Sequence, residues 1–245
     1  MRSKRQKLFI VLGGFFIINV IVAEFIGVKI FSLESTMGWD QFKIPLFGSV
    51  FSFDLTAGVL LWPVVFVMTD IINEHFGVKG VKFLSWLAAA LIVYAFFMVF
   101  MAIALVPAAW WPGSGETMGV ADMQVAFKAV FGQGLWIIIG SLISFLVGQI
   151  IDAMIFQRIK LIYNHRMLWL RSTVSTLFSQ FIDSYLVLFI AFYIGSNWSF
   201  VRVLSIGTGN YIYKFCIAIL MIPVLYLVHA LINKYLADDI EDAKD

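Results

Sequence analysis

One cysteine, three histidines, five prolines and few charges stand in this sequence, and each scarcity removes a class of protein. A lone Cys216 forbids an internal disulfide framework and any multi-thiolate metal centre. His75, His165 and His229 show no HExxH or paired-ligand spacing, so no zinc centre is expected, and no cofactor. Phosphate-loop and dinucleotide-binding glycine patterns are both missing, so the chain carries no ATPase or Rossmann module of its own. Only 13% of the 245 residues are charged, too few to keep a chain solvated and unfolded, which excludes disorder along with a water-soluble monomer.

What is present is apolar: 62% of residues are hydrophobic, 17% are aromatic, and the mean hydropathy is +0.95. Runs of about 20 apolar residues cross a hydrocarbon core of ~30 Å as helix. Six such runs predict spans at about Leu8–Val28, Leu55–Phe76, Phe83–Val106, Leu135–Phe156, Leu168–Ile194 and Asn210–Ile232. The expected fold is an all-α integral membrane protein, one six-helix transmembrane domain over residues 1–245. Arg2, Lys4, Arg5 and Lys7 precede the first run, but that run is too long for a secretory signal and lacks a small-residue cleavage site. It is read as a retained helix. Six spans divide into three plus three, and an odd count gives the halves opposite topology, compatible with a 3+3 inverted arrangement.

Twelve of the 17 basic residues fall before span one, between two and three, between four and five, or after six. They are Arg2, Lys4, Arg5, Lys7, Lys79, Lys82, Arg158, Lys160, Arg166, Arg171, Lys234 and Lys244. Lys29, Lys43, Lys128 and Arg202 lie on the other side, so the excess of positive charge places both termini in the cytoplasm. Trp39, Trp110, Trp111 and Trp198 then fall in outer loops, where amphipathic rings suit the headgroup zone. In the longest loop, Trp110–Gly115 reads as a turn and Val120–Phe131 as an interfacial helix. The acidic tail from Ala237 reads as a solvated end, and Ala23 with Gly27 as a weak helix-contact pair.

Charge inside a membrane is costly, so each intramembrane ionisable group is a functional candidate. Spacings of three, four and seven set Asp70, Asn73, Glu74 and Gly77 on one face of span two, with Pro63 two turns earlier as an expected bend. Gln149 and Asp152 lie three apart in span four; span five holds Thr173, Thr176, Gln180, Asp183 and Ser184 in one sector. Span six offers Asn210, Tyr213 and Lys214 on one face, and span one carries Asn19 and Glu24 on different faces. At a rise of 1.5 Å per residue, Asp183 lies roughly 22 Å along its span. Glu74 and Asp152, nearer the cytoplasmic ends, can instead reach water, Lys79 or Arg158. Lys214 needs a neutralising partner, and Glu24 at similar depth is the candidate. Cys216, the ten methionines and the 25 phenylalanines are read as packing.

These residues also carry a resemblance. Thr69-Asp70-Ile-Ile-Asn73-Glu74-His75-Phe76-Gly77, Gly148-Gln149-Ile-Ile-Asp152 with Phe156-Gln-Arg158, Ser175–Ser184 with Gln180 and Asp183 followed by Ala191-Phe192, and Tyr211–Phe215 with Lys214 resemble the queuosine precursor transporter family. The resemblance covers spans two to six in order. It implies a six-helix bacterial inner-membrane protein that takes up 7-cyano- and 7-aminomethyl-7-deazaguanine for tRNA queuosine. It further implies that Asp70, Gln149, Asp152, Asp183 and Lys214 serve the substrate, with Asn73, Glu74 and Gln180 beside them.

The residue chemistry fits such a base. A deazaguanine presents neighbouring N–H donors that a carboxylate accepts in pairs, and a carbonyl that an amide or ammonium can donate to. Phe145, Phe156, Phe181 or Tyr213 could stack on the ring, and the expected seat lies near the midplane between spans four and five, completed by two and six. The leading reading is a transporter, not an enzyme, working by alternating access in the lipid bilayer. Its partners are a small-molecule 7-deazaguanine and lipid, with no nucleic acid. A homodimer and a coupling partner are both compatible with the sequence; the second would make the chain a substrate-capture subunit. A membrane enzyme acting on lipid or prenyl substrates would need a denser acidic or His cluster, and a conductive channel a ring of like charge.

Overall fold

A computed structural model describes residues 4–40, 44–46, 49–51, 54–163 and 167–241. Arg2, Lys43, His165, Arg166 and Lys244, all used above, lie outside the described residues.

The fold is a helical bundle. α1 runs Lys4–Ile26, α3 Trp62–Ala104, α5 Leu135–Ile162, α6 Leu168–Leu188, α7 Phe200–Leu220 and α8 Ile222–Glu241, with short α2 (Leu33–Met37) and α4 (Met123–Phe131) in the connections. Among the described residues, five helical segments are long and apolar enough to cross a membrane: Lys4–Ile26, Trp62–Ala104, Met123–Ile162, Leu168–Ile194 and Phe200–Leu220. The segment Met123–Ile162 is α4 and α5 together.

Four strands in the connection after α1 depart from an all-α expectation. β1 (Ile30–Ser32) pairs antiparallel with β4 (Asp54–Thr56), Ile30 opposite Thr56, and β2 (Ile44–Leu46) pairs with β3 (Ser49–Phe51), Ile44 opposite Phe51. The strands satisfy backbone groups that no helix takes up there.

The expected boundaries of the second span shift accordingly. Leu55–Leu60 closes the β1–β4 ribbon and makes a 3₁₀ turn, and the helix begins only at Trp62. Pro63 therefore starts α3 instead of bending it, because near a helix N-terminus its missing N–H has no intrahelical partner to lose. Spans two and three, expected as separate helices, form one helical element interrupted at Gly77, whose φ of 70° and ψ of −177° only glycine adopts readily. The sixth span, expected at Asn210–Ile232, straddles a junction at Met221, where α7 ends and α8 begins. Pro223 supplies the reason, since it cannot donate to the carbonyl four residues back. Of the helix expected over Val120–Phe131, Met123–Phe131 is helical as α4, and Asp122 caps it, accepting from the N–H of Gln124 at 2.7 Å and of Val125 at 3.0 Å.

Two apolar clusters hold the bundle. One joins α1, α3 and α5 through Phe16, Val20, Val65, Ile72, Leu84 and Phe145; the other joins α3, α5, α6 and α8 through Val67, Ile71, Phe156, Leu168, Leu225 and Ile232. The Ala23 and Gly27 pair is a true contact: a Cβ on Gly58 would meet the Ala23 carbonyl at 2.8 Å and Gly27 Cα at 3.6 Å. Such close approach of small residues is what dispersion needs between helices in lipid.

Candidate functional site

The 62–76 segment of α3 aims one polar face at α5 and α6. Residues spaced by four along it, Trp62, Phe66 and Asp70, share that face with Asn73 and Glu74. Thr69 Oγ1 lies 2.8 Å from Gln149 Oε1 on α5 and 2.9 Å from the Val65 carbonyl, two acceptors for one hydroxyl proton. Asn73 is fully buried and satisfied: Nδ2 donates to the Ala153 carbonyl at 3.0 Å, while Gln157 Nε2 reaches both Asn73 oxygens at 2.9 Å. Asn73 thus clasps α3 to α5, as polar groups in lipid commonly do.

Glu74 anchors an ion cluster at the Gly77 end of this segment. Its Oε2 stands 2.7 Å from Arg171 Nη2 on α6 and 3.0 Å from Lys160 Nζ on α5, and Lys160 also donates to the Glu74 carbonyl at 3.0 Å. Lys79 and Arg158, the partners weighed from sequence, are not the ones it takes. Arg171 is 2% exposed and stacks over the Phe156 ring at 5.1 Å, a setting that suits a weakly hydrated guanidinium.

Asp70 lies between this cluster and a cavity. The Ser172 hydroxyl donates to Asp70 Oδ2, whereas Oδ1 is buried with no hydrogen-bond partner. A narrow cavity runs between α3, α6, α7 and α8. Asp70, Ser172 and Thr176 form part of its wall, Lys214 lies across from them, and Trp62, Phe66 and Tyr213 supply rings. Trp62 and Phe66 stack with centroids 6.0 Å apart and planes 20° apart. A few polar groups in a mostly apolar, aromatic concavity is the usual make-up of a small-molecule site.

Lys214 Nζ meets Asp183 Oδ2 at 2.5 Å, joining α7 to α6. Glu24, the partner expected for Lys214, accepts instead from Ser141 Oγ at 2.9 Å on α5. Asp152 and Gln149 are buried on α5, and Asp152 Oδ1 accepts from Ser179 Oγ at 3.3 Å. Gln180 is buried too, with Oε1 unpartnered.

Of the eight residues singled out from sequence, the cavity touches Asp70 and Lys214; Asp183 reaches it through Lys214. Asn73, Glu74, Gln149, Asp152 and Gln180 pack behind it between α3, α5 and α6. The expected seat between spans four and five is not where this cavity opens. Among the rings proposed for stacking, Tyr213 lines it, Phe145 and Phe156 belong to the apolar clusters, and Phe181 is half-exposed against Tyr185 and Tyr211. Sequence reading missed Ser172, Trp62, Phe66 and Arg171. A signal existed for three: Trp62 and Phe66 precede Asp70 by eight and four, and Ser172 precedes Thr176 by four. Arg171 counts among the cations between spans four and five, although the run predicted from Leu168 already contains it; its burial against Glu74 is not legible in the sequence. Among the described residues, no group of three or more His, Cys, Asp or Glu could hold a metal ion.

Residues 56–228 match the family model described as "Putative vitamin uptake transporter". The chain belongs to that family. It is 26% identical over 188 residues to the "Probable queuosine precursor transporter" of Bacillus subtilis, covering 75% of each chain. It is 26% identical over 203 residues to the "Queuosine precursor transporter" of Escherichia coli, covering 79% of this chain and 81% of that one. The "Probable queuosine precursor transporter" of Haemophilus influenzae is 24% identical over 185 residues, 72% of this chain and 68% of its own. No solved structure matches the chain. The relatives are named as transporters and not as enzymes, in accord with the expectation for this chain. It is a multi-pass membrane protein of the transporter kind.

Proposed function

We propose that the chain imports queuosine precursors, 7-cyano- and 7-aminomethyl-7-deazaguanine, across the bacterial inner membrane by alternating access. The observation that carries this reading is Asp70 Oδ1: a buried carboxylate oxygen without a hydrogen-bond partner, in the wall of an aromatic cavity. A buried acceptor left empty is costly, and a ligand that donates to it recovers that cost. The pairing edge of a deazaguanine offers two adjacent N–H donors, which suit a carboxylate. Lys214, across the cavity, is placed to donate to the base carbonyl while Asp183 holds it, and Tyr213 with Trp62 gives the ring a stacking surface. The cationic aminomethyl form gains further from the carboxylate.

In this reading the helices make six spans. Gly77 divides α3 into two crossing segments, and α7 with α8 forms the last, so that both termini face the cytoplasm as the basic residues require.

The test is queuosine in tRNA, measured in a bacterium that neither makes the precursor bases nor has its own importer, supplied with a low concentration of either base. Wild-type chain restores queuosine; equally abundant Asp70→Asn and Asp183→Asn variants do not. Restoration by Asp70→Asn at wild-type level would refute the assignment of Asp70, and no restoration by the wild type would refute the substrate.

A further inference from the structure

Asp152 is a carboxyl that substrate binding leaves unused. It is 2% exposed, it does not line the cavity, and the hydroxyls of Ser175, Thr176 and Ser179 surround it. Among the described residues no cation pairs with it: Arg171 and Lys160 are held by Glu74, and Lys214 by Asp183. Its charged neighbour is Asp70, close enough to repel it when both are ionised. Around Asp70 itself stand Glu74 on the same helix, Arg171 on α6, and Lys214 across the cavity. Two buried carboxyls therefore lie within reach of each other's charge, one with a cation near it and one with hydroxyl donors alone.

This asymmetry sorts their roles. A carboxylate in a low-dielectric interior without a counter-cation is strongly disfavoured, and a proton removes the charge. A proton on Asp152 also lifts the repulsion on Asp70, leaving Asp70 free as the anion that accepts the base's N–H donors. Proton and base thus favour each other's binding through one charge pair, which is a coupling free energy between two sites. Competition for a single carboxyl would give exchange instead of co-transport. Separate carboxyls, one in the cavity and one behind it, give co-transport.

We propose that Asp152 is the proton-binding carboxyl of a base–proton symporter. One proton moves from the outer water onto an Asp152 oxygen as the base settles on Asp70, and both leave to the cytoplasm. No bond in the base changes. The proposal rests on the import reading above and deepens it.

Purified full-length protein in proteoliposomes separates the two. Counterflow of labelled 7-cyano-7-deazaguanine against trapped unlabelled base, at equal pH on both sides, tests substrate alone. Accumulation from acid outside, with no base inside, tests coupling. Wild type should show both, reaching about tenfold accumulation for a one-unit pH gradient at one proton per base, abolished by a protonophore. Base addition should also make the medium alkaline, one proton per base. Asp152→Asn should keep counterflow within about tenfold of wild type and lose accumulation above equilibrium. Gradient-driven accumulation by Asp152→Asn overturns the proposal, as does wild-type accumulation that follows sodium and ignores pH. Loss of counterflow in a well-folded Asp152→Asn makes Asp152 a binding or structural residue, and also overturns it. If that variant does not fold, the wild-type alkalinisation decides: its absence during counterflow-competent uptake overturns the proposal. Absence of wild-type counterflow refutes the substrate reading itself, a distinct result that removes this proposal with it.

Discussion

Lys214 Nζ and Asp183 Oδ2 lie 2.5 Å apart between α7 and α6, with less than a fifth of either side chain exposed. Neither helix could carry its charge into this interior alone, so the pair is a condition for α7 and α6 to pack as they do. Removing one partner strands the other, which for a buried pair costs about 3–5 kcal/mol. Asp183→Ala and Lys214→Ala should each lower the melting temperature of the detergent-purified protein, and the double variant should lose less than the sum of the two. Additive losses would show that the two charges are independent.

The Glu74 cluster is asymmetric, one acid against two cations on different helices. Glu74→Gln should therefore be more damaging than Lys160→Ala: it leaves Arg171 buried beside a second cation, whereas Lys160→Ala leaves the Glu74–Arg171 pair intact. Thermal melting of the two variants gives the order directly, and equal losses would mean that the cluster contributes little.

Gly77 tests the break in α3. An added Cβ there meets nothing within 4 Å, so any cost is conformational and not steric. With φ at 70° and ψ at −177°, that cost is on the order of 1–3 kcal/mol for a side-chain-bearing residue. Gly77→Ala should destabilise by that amount and reduce uptake. A neutral substitution would show that the chain accepts a continuous helix at this point.

Tyr213 separates stacking from hydrogen bonding in the cavity. Loss of a ring from beneath a base costs roughly 1–3 kcal/mol, so Tyr213→Ala should raise the KM for uptake about tenfold or more. Tyr213→Phe, which keeps the ring, should stay close to wild type. If both variants fail alike, the hydroxyl matters and not the stacking.

Much of this arrangement was legible in the sequence, because membrane helices announce themselves by length and their interior charges by contrast. Asp70, Asp152, Asp183 and Lys214 stood out as costly residues in apolar runs, and all four lie inside the bundle. Pairings were not legible. Lys214 and Glu24 match in depth, but depth says nothing of the angle around the bundle, and the rotation of α1 gives Glu24 to Ser141. Arg171 shows the same limit from the other side: in the first turn of an apolar run it counts as a loop cation, yet Glu74 and the Phe156 face bring it inside. Pro63 failed as a sign of bending because its effect depends on where the helix begins, and that was set by a strand pairing far back in the chain, β1 with β4.

The Glu74 cluster also has a mechanical consequence. Lys160 and Arg171 are not fastened to each other; each is fastened to the same oxygen of Glu74. α5 and α6 therefore share one ionic tether to α3, and a charge lost on Glu74 weakens both ion pairs together, leaving the hydrogen bonds of Asn73 to α5 and of Ser172 to Asp70 to hold the helices. The ionic part of the contact between the 62–76 segment of α3 and the α5–α6 pair thus hangs on a single carboxylate oxygen, so one substitution there removes two helix-to-helix ion pairs at once.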